Sequence, residues 1–384
     1  MKLRRFWFVK LAVWGLLLSS LPACHIIKGE QAGIVLARRA QLRSSTAVVA
    51  ADLLEVTRGD QVDIMDSLFV EDTKEKWLLV RAHDDDKTEG WIEGRNVMPQ
   101  EVLEKSQELS AQDKDIPSQA AGQLRAVSNL RMTPERTTSD NVIMKMESGA
   151  SFEIVGWKYV EIPKGLAGET DTARSTATVP SPSTNVANST PGDGSGKPVI
   201  EEKYELWYRV RLVPSISPAP AGWIYGKQVE LQVPGDIIFY RIGREFVTWA
   251  RLDGSGNIVG LELNKKGEED LLEGKPGSWV ILEKSKAEQA HEPGEPDFDR
   301  ILVMGYDRDN QEHYTVYRSP NLKGYLPLRV ANNGDEKAFT VKIKNESGAE
   351  QDLHYSLFRN ERGILKINIP DNVPKKAEDD VKKR

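Results

Sequence analysis

Five histidines, one cysteine and a few short acidic runs are the residues of this 384-residue chain with the most chemistry to offer. His25, His83, His291, His313 and His354 are scattered, none at zinc-ligand spacing and none in a His-Glu-x-x-His helix. Asp307-Arg308-Asp309-Asn310 places acidic residues at alternate positions, as calcium loops do, and Asp253 with Asn257 is a looser version. Neither has the full oxygen set, the glycine and the distal bidentate glutamate of an EF-hand loop, and turns favour Asp, Asn and Gly in any case. No Gly-x-Ser-x-Gly elbow and no Gly-x-x-x-x-Gly-Lys-Ser/Thr phosphate loop occurs. The residues therefore predict no metal, no cofactor and no catalytic group. A concave pocket in the C-terminal third with clustered Asp307, Asp309, His313 or His354 would favour an enzyme or small-ligand receptor there.

The single cysteine carries the strongest signal. Lys2, Arg4 and Arg5, then Lys10, precede an apolar run from Leu11 to Leu18, and the small residue Ala23 stands directly before Cys24. A basic segment, a short apolar segment and a small-residue cleavage site make a secretory signal. The apolar run is shorter than the roughly 20 residues that span a bilayer. Leu21-Pro22-Ala23-Cys24 resembles the lipobox of bacterial lipoproteins. That resemblance implies removal of residues 1–23, a diacylglycerol on the Cys24 thiol, and a mature protein held by its acyl chains at a membrane. Two or more chains anchor stably where one does not. His25 follows the cysteine instead of an aspartate, which implies delivery to the outer membrane where the organism has one. Acylation also leaves no thiol for disulfides, nucleophilic catalysis or thiolate metal sites.

Removal of the leader takes the net charge from −6 to about −10. An acidic chain without basic runs is a poor partner for nucleic acid or for anionic lipid by charge alone.

Self-similarity reveals two copies of one pattern. Leu42-Arg43 matches Leu130-Arg131, and Gly59 with Val62-Asp63-Ile64 matches Gly149 with Phe152-Glu153-Ile154. Trp77-Leu78-Leu79-Val80-Arg81 matches Trp207-Tyr208-Arg209-Val210-Arg211. Gly90-Trp91-Ile92-Glu93-Gly94 matches Gly222-Trp223-Ile224-Tyr225-Gly226. Alternation of apolar and polar residues between turn signals makes each block a strand, and short antiparallel strands at this spacing build a small barrel or sandwich.

Asn129-Leu130-Arg131-x-x-Pro134, Trp-x-x-Val-Arg and Gly-Trp-Ile-x-Gly resemble the bacterial SH3 (SH3b) domain. The first copy has Gln41 and Thr46 near the positions of Asn129 and Pro134, so its first loop is expected to differ. The resemblance implies domains that bind cell-wall peptides, bind proteins or space other domains. Peptidases of the cell wall that accompany such modules use a Cys-His pair, which an acylated Cys24 cannot supply. Trp77, Trp91, Trp207 and Trp223 form the candidate binding surface, although a small barrel also fills its core with tryptophan. Asp84-Asp85-Asp86 reads as a solvated turn.

The expected organisation is a signal over 1–23, a tether over 24–33, a first SH3b-like domain over 34–100 and a linker, helical or loose, over 101–123. The second such domain, 124–233, carries a disordered Ser/Thr/Pro/Gly-rich insertion over 164–198, at the tip of a hairpin. Residues 235–370 are strand-like throughout, from Ile237–Arg241 through a glycine-turn hairpin of 246–252 with 258–263 to a last strand near 364–369, and 371–384 form a disordered tail. The predicted fold class is all-β: two small SH3-like barrels in tandem, then a larger antiparallel β-sandwich or barrel. The expected function is a non-enzymatic, membrane-anchored envelope lipoprotein with peptidoglycan or an envelope protein as partner. The alternatives are a ligand-binding or hydrolytic C-terminal domain, and a subunit of a surface assembly joined through strand edges.

Overall fold

The computed structural model describes residues 31–163, 202–253, 261–263, 269–271, 277–286, 290–333, 336–345 and 347–374. The signal, Cys24, His25 and the 164–198 insertion lie outside the described residues. The fold is all-β, as predicted. The chain divides into two compact units, Met1–Gln100 and Glu101–Arg384.

The first unit is one curled seven-stranded sheet: β1 (Gln31–Val35), β2 (Arg39–Arg43), β3 (Asp52–Thr57), β4 (Gln61–Val70), β5 (Glu75–Ala82), β6 (Glu89–Glu93) and β7 (Val97–Pro99). Its order is β3-β2-β6-β5-β4-β1-β7. The repeat in the second unit comprises β8 (Ala120–Leu124), β9 (Ser128–Arg131), β10 (Val142–Met146), β11 (Ser151–Glu161), β12 (Tyr204–Arg211), β13 (Ala221–Tyr225) and β14 (Val229–Leu231). Its order, β10-β9-β13-β12-β11-β8-β14, is the same permutation. Both copies carry a register shift at one point of the long hairpin, between Ile64 and Asp66 and between Ile154 and Gly156.

The glycines of the Gly-Trp-Ile-x-Gly block have a steric cause. A Cβ at Gly90 or Gly222 would press on Leu42 or Leu130, within 2.9 and 2.7 Å. One at Gly94 or Gly226 would press on the Lys76 or Leu206 carbonyl oxygen, at 2.9 and 2.7 Å. The motif marks where the chain passes too close to its neighbours for any side chain.

Two boundaries differ from the expectation. Gln31–Ile34 already pair with β4, so the first sheet begins inside the expected tether. The linker is ordered: helix α1 (Gln100–Gln112) leads to β8, which starts inside the 101–123 stretch. Leu103 and Ser106 are the buried face of α1. The Ser106 hydroxyl donates to the Ala221 carbonyl at 2.6 Å and accepts the Ala221 N–H at 3.1 Å, which seats the helix on β13. No helix among the described residues is long and apolar enough to cross a membrane.

The C-terminal part is a sandwich of two four-stranded antiparallel meanders. One contains β15 (Arg244–Arg251), β18 (Trp279–Ser285), β19 (Arg300–Asp307) and β20 (Glu312–Arg318). The other contains β21 (Gly324–Asn333), β22 (Glu336–Lys344), β23 (Glu350–Arg359) and β24 (Leu365–Asn368). Val280, Leu282, Ile301 and Val303 from the first sheet share a core with Phe339, Val341, Leu353, Tyr355 and Leu357 from the second. Runs such as Trp279–Leu282 and Ile301–Met304 are buried on both faces and so are apolar without interruption. β23 is buried at every second residue and alternates.

Two strand expectations fail. Ile238–Tyr240 is a 3-10 turn, because Ile238 and Tyr240 hydrogen-bond back to Pro234 and Ile237 instead of entering a ladder. The 246–252 run pairs with β18, while β16 (Leu261–Leu263) pairs with β17 (Glu269–Leu271), so among the described residues the two arms of the expected glycine-turn hairpin do not pair with each other. At the C-terminus Val373 packs on the sandwich, and residues 375–384 of the expected tail lie outside the described residues.

Within the second unit the repeat is docked on the sandwich. Trp157 packs on the sandwich core and its indole N–H donates to Asp297 at 2.8 Å, while the other Asp297 oxygen accepts the Leu326 N–H at 2.9 Å. The side chain of Gln119, wholly buried, accepts the Leu328 N–H at 2.7 Å and donates to the Leu328 carbonyl at 3.2 Å. The Thr248 hydroxyl donates to the Gln119 carbonyl.

Candidate functional site

The four repeated tryptophans divide into two kinds. Trp77 and Trp207 are buried, 6% and 1% exposed, the first under the Arg43 guanidinium and the second against Tyr225 and Glu205, on the same sheet face as Trp91 and Trp223. Trp91 and Trp223 are half-buried on the sheet surface. Trp223 stands across the ladder from Arg209, whose guanidinium lies 5.3 Å over its ring. Asp113, at 2.6 Å, and the Leu109 carbonyl, at 2.9 Å, hold that guanidinium at the C-terminal end of α1, where cations are favoured. Trp91 stands across from Leu79, so the first module has no arginine there.

A second constellation surrounds the Met132–Asn141 loop between β9 and β10. Arg131 donates to the Thr138 carbonyl at 2.7 Å and to the Asn141 side-chain oxygen at 2.6 Å. The Asn141 amide in turn donates to the Thr133 hydroxyl at 2.8 Å and the Glu135 carbonyl at 2.9 Å. Arg136 leaves the loop to pair with buried Glu205 at 2.9 Å and lies 5.0 Å over the Tyr225 ring. Glu205 also accepts the Trp207 indole N–H at 2.9 Å. The loop is thus pinned at both ends by buried polar groups.

An open groove lies on each side of it. One, of about 440 Å³, runs between the loop and α1 past Lys105, Leu109, Met132, Thr138 and Asn141. The other, of about 470 Å³, runs between the loop and the β11–β12 hairpin past Pro134, Thr137, Lys158, Val160 and Glu205. Apolar floors beside amide, hydroxyl and charged groups suit an extended polar chain. These residues were not candidates in the sequence. The signal that could have found them is the contrast between the two copies: loop 44–51 is uncharged, whereas 132–141 carries Glu135, Arg136 and Asp140.

The titratable residues singled out in the sequence are dispersed. His313 is buried between Tyr240 and Tyr306, with Nε2 2.9 Å from the Gly277 carbonyl and 3.7 Å from Asp236. His354 lies on the exposed face of the other sheet, with Nδ1 2.9 Å from the Thr340 hydroxyl. Asp307 accepts from its own turn, from the Asp309 and Asn310 N–H groups and from the Asn310 amide, and these bonds hold its pKa below the usual carboxylate range. Asp84 caps its turn through Thr88, and His83 pairs with Asp63 at 3.1 Å. His291 stacks edge-on against Tyr159, with ring centroids 5.0 Å apart. Among the described residues no three His, Cys, Asp or Glu side chains gather to hold a metal.

Asp253 is occupied structurally: it accepts the Ser278 N–H at 2.6 Å and pairs with Lys337 and Arg359. Burial opposes its ionisation, but hydrogen bonds from Lys337 and Ser278 outweigh burial and hold its pKa at about 2. A carboxylate whose folded pKa lies below the unfolded value of about 4 adds stability above that value and loses it as pH falls through the folded one. The sandwich is expected to lose this contribution between about pH 4 and about pH 2. Lys337→Met is expected to move the loss upward in pH. An acid titration by tryptophan fluorescence checks this, and an unchanged profile would remove Lys337 as the cause.

No family model matches the chain, and no curated protein matches it. Among solved structures, NlpC1 from Trichomonas vaginalis is 12% identical, with 84% of this chain and 87% of that one covered at a TM-score of 0.14. NlpC2 from the same organism is 10% identical, with coverage of 90% and 94% at a TM-score of 0.15. At these TM-scores neither chain superposes on this one as a whole.

Proposed function

We propose that this chain is a non-enzymatic, lipid-anchored protein of the bacterial cell envelope whose second SH3b-like module binds a peptide-bearing polymer, peptidoglycan, or an extended segment of an envelope protein. The observation that supports this reading most directly is the pinned Met132–Asn141 loop between two open grooves. A rigid loop with converging amide, hydroxyl and charged groups can read an extended ligand without the cost of ordering itself. Cys24 supplies the anchor, and the partner lies within the envelope.

The test is retention of the mature chain without its acylated cysteine, residues 25–384, on purified cell-wall sacculi. Thr138→Arg places bulk and charge in the first groove and Lys158→Glu reverses a charge at the second, and both side chains are exposed. One of the two is expected to lower retention by about tenfold, the scale of one lost hot-spot contact. If the wild-type chain is not retained, peptidoglycan is not the ligand. Equal retention of all three chains would place the ligand elsewhere.

Anchoring is tested separately. Cys24→Ser is expected to move the protein from the membrane fraction to the soluble one. Its persistence in the membrane after signal processing would exclude the lipid as anchor.

A further inference from the structure

The two modules use one arginine to hold the same loop, and the two loops have opposite chemistry. Arg43 occupies the place of Arg131. Its guanidinium donates to the Val48 carbonyl at 2.7 Å and to the Ala50 carbonyl at 3.4 Å. Further bonds close the loop on itself: Ser44 N–H to the Ala51 carbonyl at 2.9 Å, Ala50 N–H to the Ala47 carbonyl at 3.1 Å, and Ala51 N–H to the Ser44 hydroxyl at 3.1 Å. With its carbonyls drawn inward, the loop turns its side chains out. Val48 and Val49 are 89% and 93% exposed.

Residues 44–51 carry no charge. At the base of the loop Arg43 and Asp52 pair with each other at 3.7 Å, so no net charge is presented there. Paired valines on an ordered tip are a poor surface for water. Internal pairing of the backbone lowers the cost of leaving it, since unpaired polar groups are what apolar phases penalise. The matching loop of the second module, with Glu135, Arg136 and Asp140, cannot make this transfer cheaply.

We infer that the Ser44–Ala51 loop inserts Val48 and Val49 into the membrane interface and fixes which side of the first module faces the lipid. The inference rests on the lipid-anchored reading for proximity. Seven chain steps separate Cys24 from β1, a fully extended reach of about 25 Å. A segment of that length keeps the module beside the bilayer. Two buried valines are enough to select one orientation. Because the loop presents no net charge, zwitterionic lipid suffices, and the contact is insensitive to salt.

The experiment does not depend on acylation in the cell. The mature chain without Cys24, residues 25–384 with an N-terminal hexahistidine, is tethered to phosphatidylcholine vesicles containing a nickel-chelating lipid. An environment-sensitive fluorophore is placed on Val49→Cys, the sole thiol of that chain, or on exposed Gln61→Cys, just past the turn at the other end of β3 from the loop. On the vesicles the label at 49 is expected to shift to the blue and to be quenched by lipid-borne nitroxides, equally in low and high salt. The label at 61 is expected to stay as in water. Adding Val48→Asp is expected to cut the quenching at 49 by about tenfold or more, given the cost of a carboxylate in apolar surroundings. Solvent-like emission at 49 on the vesicles would overturn the inference. So would a blue shift without vesicles, because the valines would then be covered by protein. Failure of Cys24→Ser to release the chain from cell membranes would count against the anchor alone.

Discussion

Replacement of Gln119 by alanine is expected to destabilise the second unit by about 4 kcal/mol and leave the first module unaffected. The β21–β22 pairing shifts register between Tyr325 and Arg329, and Leu328 falls within that interruption. The Gln119 amide takes over there, serving both the N–H and the carbonyl of Leu328, and neither residue has exposed surface. Without it two buried backbone groups lose partners, at roughly 1–3 kcal/mol each. Gln119→Met keeps most of the volume and none of the bonds, so it is expected to cost nearly as much. Urea unfolding followed by tryptophan fluorescence checks both. A loss below about 1 kcal/mol in either variant would mean that water replaces the amide.

Glu205→Ala is expected to cost about 3 kcal/mol and to loosen the Met132–Asn141 loop. Glu205 is buried and serves two donors, the Trp207 indole N–H and the Arg136 guanidinium. Loss of one partner of a buried ion pair costs roughly 3–5 kcal/mol, and Arg136 recovers part of that by turning toward water from its partly exposed position. Glu205→Gln keeps an acceptor for Trp207 and is expected to fall between alanine and wild type. Hydrogen exchange should report faster opening across 132–141 in the alanine variant, with weaker retention on sacculi. Normal protection of the loop in that variant would show that Arg131 and Asn141 suffice to hold it.

The docked second module changes how the chain can be divided. A cut near residue 234 looks natural from the sequence, yet it would strip the sandwich from Trp157 and Gln119 and expose both. Binding experiments therefore need the mature chain.

The repeat was legible because its causes are local. Alternating burial along β5 and β12, glycines where strands pass too close, and a turn at a fixed point each leave a mark within a few residues. Ile238–Tyr240 misled because an apolar run reads as a strand until its turn bonds to Pro234 and Ile237 are seen. The tryptophans were legible as a set but not as individuals. All four lie on one face of their sheets, and which two are buried depends on the side chains that cover them, Trp223 further on an arginine fixed by α1.

By itself the sequence determined an all-β chain, the twofold repeat and its motif glycines, since strand period and close backbone approach constrain residues near one another. Only the tertiary structure decided that the two copies are unlike: one is a unit of its own, the other is joined to the sandwich and flanked by grooves. The contacts responsible, such as Gln119 with Leu328 across 209 positions of chain, pair ordinary polar side chains with backbone groups. Such pairs have no period and no motif, so nothing near either residue announces the other.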